Sequence, residues 1–276
     1  MSPDPEDWEG GEGSEPEPDP GDWHPEGADR AHLRSLSLGL MSMVPLLVAY
    51  ELAAGDQRNT AEVVLFHPGA LAGLSPELVR RGAMAVAVAA AAVLCFTRRI
   101  ALGPGVGRIV AEGLGGAIVG GPVLVAAMSW LGAEGVLTSR GLRPEEVPAL
   151  AGAGLVLGGA AYEELLWRVG GFGLSYTVAR RLARFWGLGR RAARWVGETA
   201  GVAGTAVAFA GFHLAVFTAW LGPGGEAFDP AVFTWRLLAG ILLAVGFRWR
   251  GPGVAAWAHG LFNLALWIGV GPEVLA

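Results

Sequence analysis

The chain has 276 residues, of which 53% are hydrophobic and only 16% charged, with a mean hydropathy of +0.45. Soluble domains carry about a quarter charged residues, so this composition excludes an ordinary water-soluble globular domain and points to segments that use a bilayer as solvent. The net charge of −5 hides a segregation: residues 1–29 hold eleven acids and no Arg or Lys, while the rest holds fourteen acids against twenty bases, all Arg.

Residues 1–29 are rich in Pro, Gly and acids and lack periodic apolar positions. Such a segment cannot bury enough surface to offset the entropy of ordering, so a disordered acidic tail is expected. It begins without the basic and apolar stretches of a signal peptide. Seven apolar segments follow, at 36–54, 80–97, 114–132, 147–174, 197–220, 231–247 and 253–270. The fold class expected is therefore all-α, a polytopic transmembrane helix bundle of about seven spans, with six or eight as neighbouring counts. A surface helix is expected between Asp56 and Glu77. The single cysteine, Cys95, sits in an apolar run and reads as a small hydrophobe. The 44 glycines lie mostly in or beside the spans, where small residues let helix backbones approach closely.

Arginines set the orientation. With a cytoplasmic N-terminus and seven spans, thirteen arginines fall on the cytoplasmic side and five (Arg58, Arg80, Arg81, Arg140, Arg143) on the other. The most basic loop runs from Arg180 to Arg194 and is suited to anionic lipid headgroups. Membrane lipid is thus an expected partner, and no nucleic acid is.

Ionisable groups deep in a span cost at least about 2.5 kcal/mol each on insertion scales. They gather in the later segments: Glu163, Glu164 and Arg168 in the fourth, His213 in the fifth, Arg236 in the sixth, and His259 with Asn263 in the seventh. The first three segments are almost free of them, with Glu51 near an end. This divides the chain into a tail (1–29), N-terminal transmembrane helices (30–146) and a polar-bearing transmembrane unit (147–270).

Helical spacing sorts these residues. Glu164 and Arg168 are i,i+4 with the acid first, the better orientation for an ion pair, which gives Glu164 a structural role. Glu163 is rotated about 100° away and suits a general base. His259 and Asn263 share a face, and both can donate to an oxygen that becomes negative in a transition state. His213, one turn beyond Phe209, completes the set. Taken singly, each has a bland reading: a lone buried His packs, a span Asn glues helices, and Arg236 snorkels toward the outer interface. Span limits at face value put His259 about 9 Å and Glu163 about 18 Å from the cytoplasmic end, a mismatch in depth.

The motifs Glu163-Glu164-x-x-x-Arg168, Phe209-x-x-x-His213 and His259-x-x-x-Asn263, in that order over residues 147–268, resemble those of the CPBP family. That family includes type II CAAX prenyl endopeptidases and bacteriocin-processing or immunity proteins. The resemblance implies an intramembrane endopeptidase opening to the cytoplasm, acting on a peptide or lipidated-peptide substrate. It also implies that Glu163 and His213 activate water, that His259 and Asn263 stabilise the oxyanion, and that Glu164, Arg168 and Phe209 support the site. A bacterial plasma membrane is the expected location. No cofactor is expected; zinc held by Glu163, His213 and His259 is the minority alternative, because the chain has no His-Glu-x-x-His motif. The competing functions are a proton-coupled transporter and a non-catalytic immunity or scaffold protein.

Overall fold

The two best-marked helix starts in the chain share one grammar. Ser75 before Pro76 and Asp229 before Pro230 each hold an extended backbone and accept from helix N–H groups: Ser75 Oγ from Leu78 N (3.2 Å), Asp229 Oδ1 from Ala231 N and Val232 N (2.8 and 3.1 Å). Proline at the first helical position loses no bond, because its N–H has no intrahelical partner there.

The structure is a computed structural model that describes residues 25–54, 59–134, 148–218 and 225–269. Its helices are α1 (Pro25–Ala53), α2 (Thr60–Leu71), α3 (Pro76–Thr97), α4 (Leu102–Leu131), α5 (Ala149–Glu164), α6 (Gly173–Phe185), α7 (Arg190–Thr199), α8 (Thr205–Gly211), α9 (Ala215–Thr218), α10 (Pro230–Arg250) and α11 (Pro252–Gly269). Two π-helical stretches, Leu165–Phe172 and Ala200–Gly204, join α5 to α6 and α7 to α8. Among the described residues there is no strand, only a single parallel bridge between Leu214 and Glu226. The chain is an all-helical integral membrane protein. Of the expected acidic tail, residues 1–24 lie outside the described residues, and helix α1 begins at Pro25.

Among the described residues, five helical runs are long and apolar enough to cross a membrane: Leu36–Ala53, Glu77–Thr97, Leu102–Leu131, Ala149–Phe185 and Pro230–Arg250. The first two and the last follow the expected segments closely, and the third starts twelve residues before the expected 114. The fourth continues beyond 174 through the π-helical stretch into α6. The segment expected at 197–220 is instead broken, because α8 ends at Gly211 and the chain turns at Phe212 and His213. Helix α11 falls outside the five because His259 and Asn263 interrupt its short apolar run. The two segments that depart from a simple span are thus the ones that carry His213, His259 and Asn263.

Helix α11 is the pivot of the packing. Its Ala256 belongs to one buried cluster with Met43, Leu46, Tyr50, Leu155 and Tyr162. Its Phe262 belongs to a second with Leu124, Met128, Val232 and Trp235. His259 stands between these two anchors, so its position along the bundle is fixed from both sides. Against α1, helix α5 uses glycine: a Cβ on Gly154 would lie 2.6 Å from Ala49 O, and one on Gly158 2.7 Å from Leu46 O. The missing side chains let the two backbones touch.

Two expectations are corrected here. The helix expected between Asp56 and Glu77 is present as α2, too short to span, with Ala61 and Glu62 buried on its inner face. Its inward acid has buried partners: Tyr50 Oη donates to Glu62 Oε2 (2.7 Å), and Arg80 pairs with both Glu62 and Glu51. Polar chemistry is therefore not confined to the C-terminal half. Nor does Arg236 snorkel. It is 6% exposed and forms a two-pronged pair with Glu226, one prong being Nη2 to Oε1 at 2.6 Å. Glu226 reaches it because its backbone is pinned to the turn after α8: Glu226 N donates to His213 O and Ala215 N to Glu226 O, both at 2.9 Å.

Candidate active site

Helix α5 delivers two adjacent carboxylates to two environments. The Glu164 side chain is fully enclosed, 0% exposed, and its Oε2 lies 3.3 Å from Arg168 Nε, also 0% exposed. This is the i,i+4 pair the spacing implies. A buried ion pair gains from further polar contacts. Here Arg168 Nη2 donates to Gly240 O (3.2 Å), and its guanidinium lies 5.4 Å over the Phe209 ring. Glu163 keeps 18% of its side-chain surface. Of the two acids, only Glu163 is open to water or substrate.

The π-helical register begins immediately after Glu164. Wide turns of this kind are frequent at functional sites. Here the wide turns carry Trp167 against Phe212, ring centroids 5.2 Å apart, at the bend where α8 gives way to His213.

Both carboxylates converge on His259 from α11. Its Nδ1 lies 3.0 Å from Glu164 Oε1, and its Nε2 lies 3.7 Å from Glu163 Oε2. With Glu164 ionised, Nδ1 carries the proton, and the far edge of the ring is presented to Glu163. The expected mismatch in depth between Glu163 and His259 does not exist. The two side chains stand at one level of the bundle, because Glu163 Oε2 and His259 Nε2 meet at 3.7 Å.

Phe209 is the common floor. Its ring meets His213 edge-on at 5.1 Å and His259 at 5.8 Å, with Arg168 on it as well. His213 Nδ1 is 2.8 Å from Phe209 O. A carbonyl only accepts, so Nδ1 holds the proton and Nε2 is the acceptor of the neutral ring. The charged groups acting on His213 include Arg236, Glu163 and Glu226. Asn263 follows His259 by one turn of α11 and is half-buried. The structure therefore brings Glu163, Glu164, Arg168, Phe209 and His259 into one connected cluster. His213 is attached through Phe209, and Asn263 lies on the His259 face of its helix.

Among the described residues, no three His, Cys, Asp or Glu side chains gather as a metal-ion ligand set. The Nδ1 atoms of both histidines are engaged, by Phe209 O and by Glu164, which leaves Nε2 as the available nitrogen of each ring. Among the described residues the zinc alternative thus has no assembled three-ligand set.

Two groups were missed from the sequence. Asn59, at the start of α2, donates from Nδ2 to Glu163 Oε1 at 3.0 Å. The pattern Asn59-Thr60-Ala61-Glu62 reads as a helix start, but nothing local points to a residue 104 positions away. The Glu226–Arg236 clamp behind His213 was missed because Arg236 was given an interfacial role.

Residues 145–265 match the family model described as type II CAAX prenyl endopeptidase Rce1-like. The matched stretch contains Glu163, Glu164, Arg168, Phe209, His213, His259 and Asn263, and leaves α1 to α4 outside it. No curated protein and no solved structure matches the chain. The chain is thus a polytopic helical membrane protein that matches, over residues 145–265, the Rce1-like family of type II CAAX prenyl endopeptidases, and this match supports CAAX-type intramembrane proteolysis as its general class of activity.

Proposed function

We propose that the chain is an intramembrane endopeptidase whose catalytic unit is residues 147–270, with Glu163 as general base, His213 as its partner in activating water, and His259 and Asn263 as the oxyanion donors. The observation that carries this reading is the meeting of Glu163 with His259 at 3.7 Å across two helices, with Glu164 and Arg168 enclosed behind them. That separation is within ion-pair range and too long for a direct hydrogen bond.

In the proposed reaction, water attacks the scissile carbonyl carbon as Glu163 takes its proton. Neutral His213 accepts a hydrogen bond from the same water through Nε2. The carbonyl oxygen becomes an oxyanion and receives hydrogen bonds from the Asn263 amide and from His259. For His259 to donate there, Nε2 must hold a proton while Nδ1 remains bonded to Glu164, so it acts as the imidazolium. Collapse of the tetrahedral species breaks the C–N bond, and the proton on Glu163 passes to the leaving amine. Donors fixed in advance at the site of developing charge need no reorganisation during reaction.

The substrate class that fits is a membrane-presented peptide, with a prenylated C-terminal CAAX sequence as the case the family description names. The arginine distribution supports a cytoplasmic N-terminus, and the bacterial plasma membrane is the proposed location. The test is cleavage of an internally quenched farnesylated CAAX-type peptide by the protein in liposomes, with the released C-terminal tripeptide identified by mass. Release that requires the intact protein supports the proposal. Proton-coupled flux without cleavage would favour a transporter, and binding without turnover a scaffold or immunity protein.

A further inference from the structure

The N-terminal helices, outside the family match, hold a second polar assembly that ends on Glu163. Tyr50 Oη donates to Glu62 and accepts from Asn59 N at 2.6 Å. Arg80 closes the group by pairing with Glu62 and with Glu51 (2.9 Å to Oε2), and Tyr162 Oη, next to Glu163 in sequence, lies 3.4 Å from Glu51 Oε1. These contacts tie the start of α2 to α1, α3 and α5 and fix the backbone of Asn59.

The Asn59 side chain is then held at both ends. Its Oδ1 accepts from Ala61 N at 2.8 Å, and its Nδ2 donates to Glu163 Oε1 at 3.0 Å. A backbone N–H needs an acceptor, so the Ala61 contact determines which end of the amide faces Glu163. Space for that amide comes from Gly159, one helical turn before Glu163. A Cβ on Gly159 would lie 3.0 Å from Asn59 Nδ2, tighter than most side-chain contacts, so the amide would have to give way by a few tenths of an ångström.

We infer that Asn59 is a positioning residue for Glu163, seated in the gap left by Gly159, so that the helices outside the matched segment complete the site. By holding Oε1, it leaves Oε2 directed toward His259 Nε2. This inference rests on the reading of Glu163 as the base.

Its test uses Asn59→Ser, Gly159→Ala, the double variant and Glu163→Gln in the full chain, with the farnesylated CAAX-type peptide as probe. Serine caps a helix about as well as asparagine, so Asn59→Ser keeps α2 while losing the reach to Glu163. In Asn59→Ser, kcat falls by about tenfold to a hundredfold while KM stays within about twofold and the melting temperature holds. Gly159→Ala falls similarly, and the double variant is no slower than the slower single one, as expected for two changes that break one contact. An infrared readout needs no substrate: the Glu163 carboxyl band, assigned by its loss in Glu163→Gln, shifts in Asn59→Ser. Wild-type kcat with an unshifted band in Asn59→Ser overturns the inference, as does a raised KM with unchanged kcat, which would make Asn59 a substrate contact. Full activity in Glu163→Gln, or no cleavage by the wild type, counts against the proposed function instead, and the band shift then decides the role of Asn59 by itself.

Discussion

His259 and Glu164 are 95 positions apart in the chain, yet Nδ1 of one lies 3.0 Å from Oε1 of the other. The contact turns the imidazole so that Nε2 faces Glu163. We predict that Glu164→Gln, which can still accept from Nδ1–H, lowers kcat less than Glu164→Leu, which frees the ring. A misplacement of about 1 Å is enough for roughly a hundredfold loss, and steady-state kinetics on the two variants measures the difference.

Arg168 and Glu164 are both fully buried. Removing one partner strands the other charge, so Arg168→Met is expected to destabilise the protein by about 3–5 kcal/mol. Replacing both, as Glu164→Leu with Arg168→Met, should recover much of that stability without recovering activity. Unfolding in detergent micelles alongside the cleavage assay separates the two effects. If the double variant is as unstable as the single one, the pair is not the source of the loss.

His213 donates Nδ1–H to Phe209 O and stands in a turn pinned by Glu226. We expect His213→Gln to reduce kcat by about a hundredfold to ten-thousandfold, the range for a lost acid–base group, with little change in melting temperature. Glu226→Gln acts differently. It weakens the charge-assisted bonds to Arg236 and lowers stability by about 2 kcal/mol, with faster protease cleavage at the turn as the accompanying sign.

Gly158 lets α5 touch α1, where an added Cβ would lie 2.7 Å from Leu46 O. Gly158→Ala should therefore cost about 1–3 kcal/mol through overpacking. Gly120→Ala in α4, where nothing lies within 4 Å, is the control and should be neutral or slightly stabilising. Equal melting temperatures for the two variants would contradict this packing.

Features with a local signature were legible in the sequence. The Glu164–Arg168 pair follows from i,i+4 spacing and is present. The bundle of apolar helices follows from hydropathy and is present. Spans that carry polar residues were harder to read, because the groups that build the site also erode the apolar signal: His213 stands where a span breaks, and α11 is short and interrupted by His259 and Asn263. Residues whose role is set by distant partners were missed. Arg236 reads as an interfacial arginine until Glu226 is placed beside it, and Asn59 as a simple helix cap until Glu163 arrives from 104 residues away.

The hydrolysis rate of Glu163→Gln decides whether Glu163 is the base, because this nearly isosteric change keeps the side chain but removes its ability to accept a proton. With Glu163 as the base, this variant inserts and melts like the wild type and yet releases no tripeptide from the farnesylated peptide above background. Release at the wild-type rate would contradict that role.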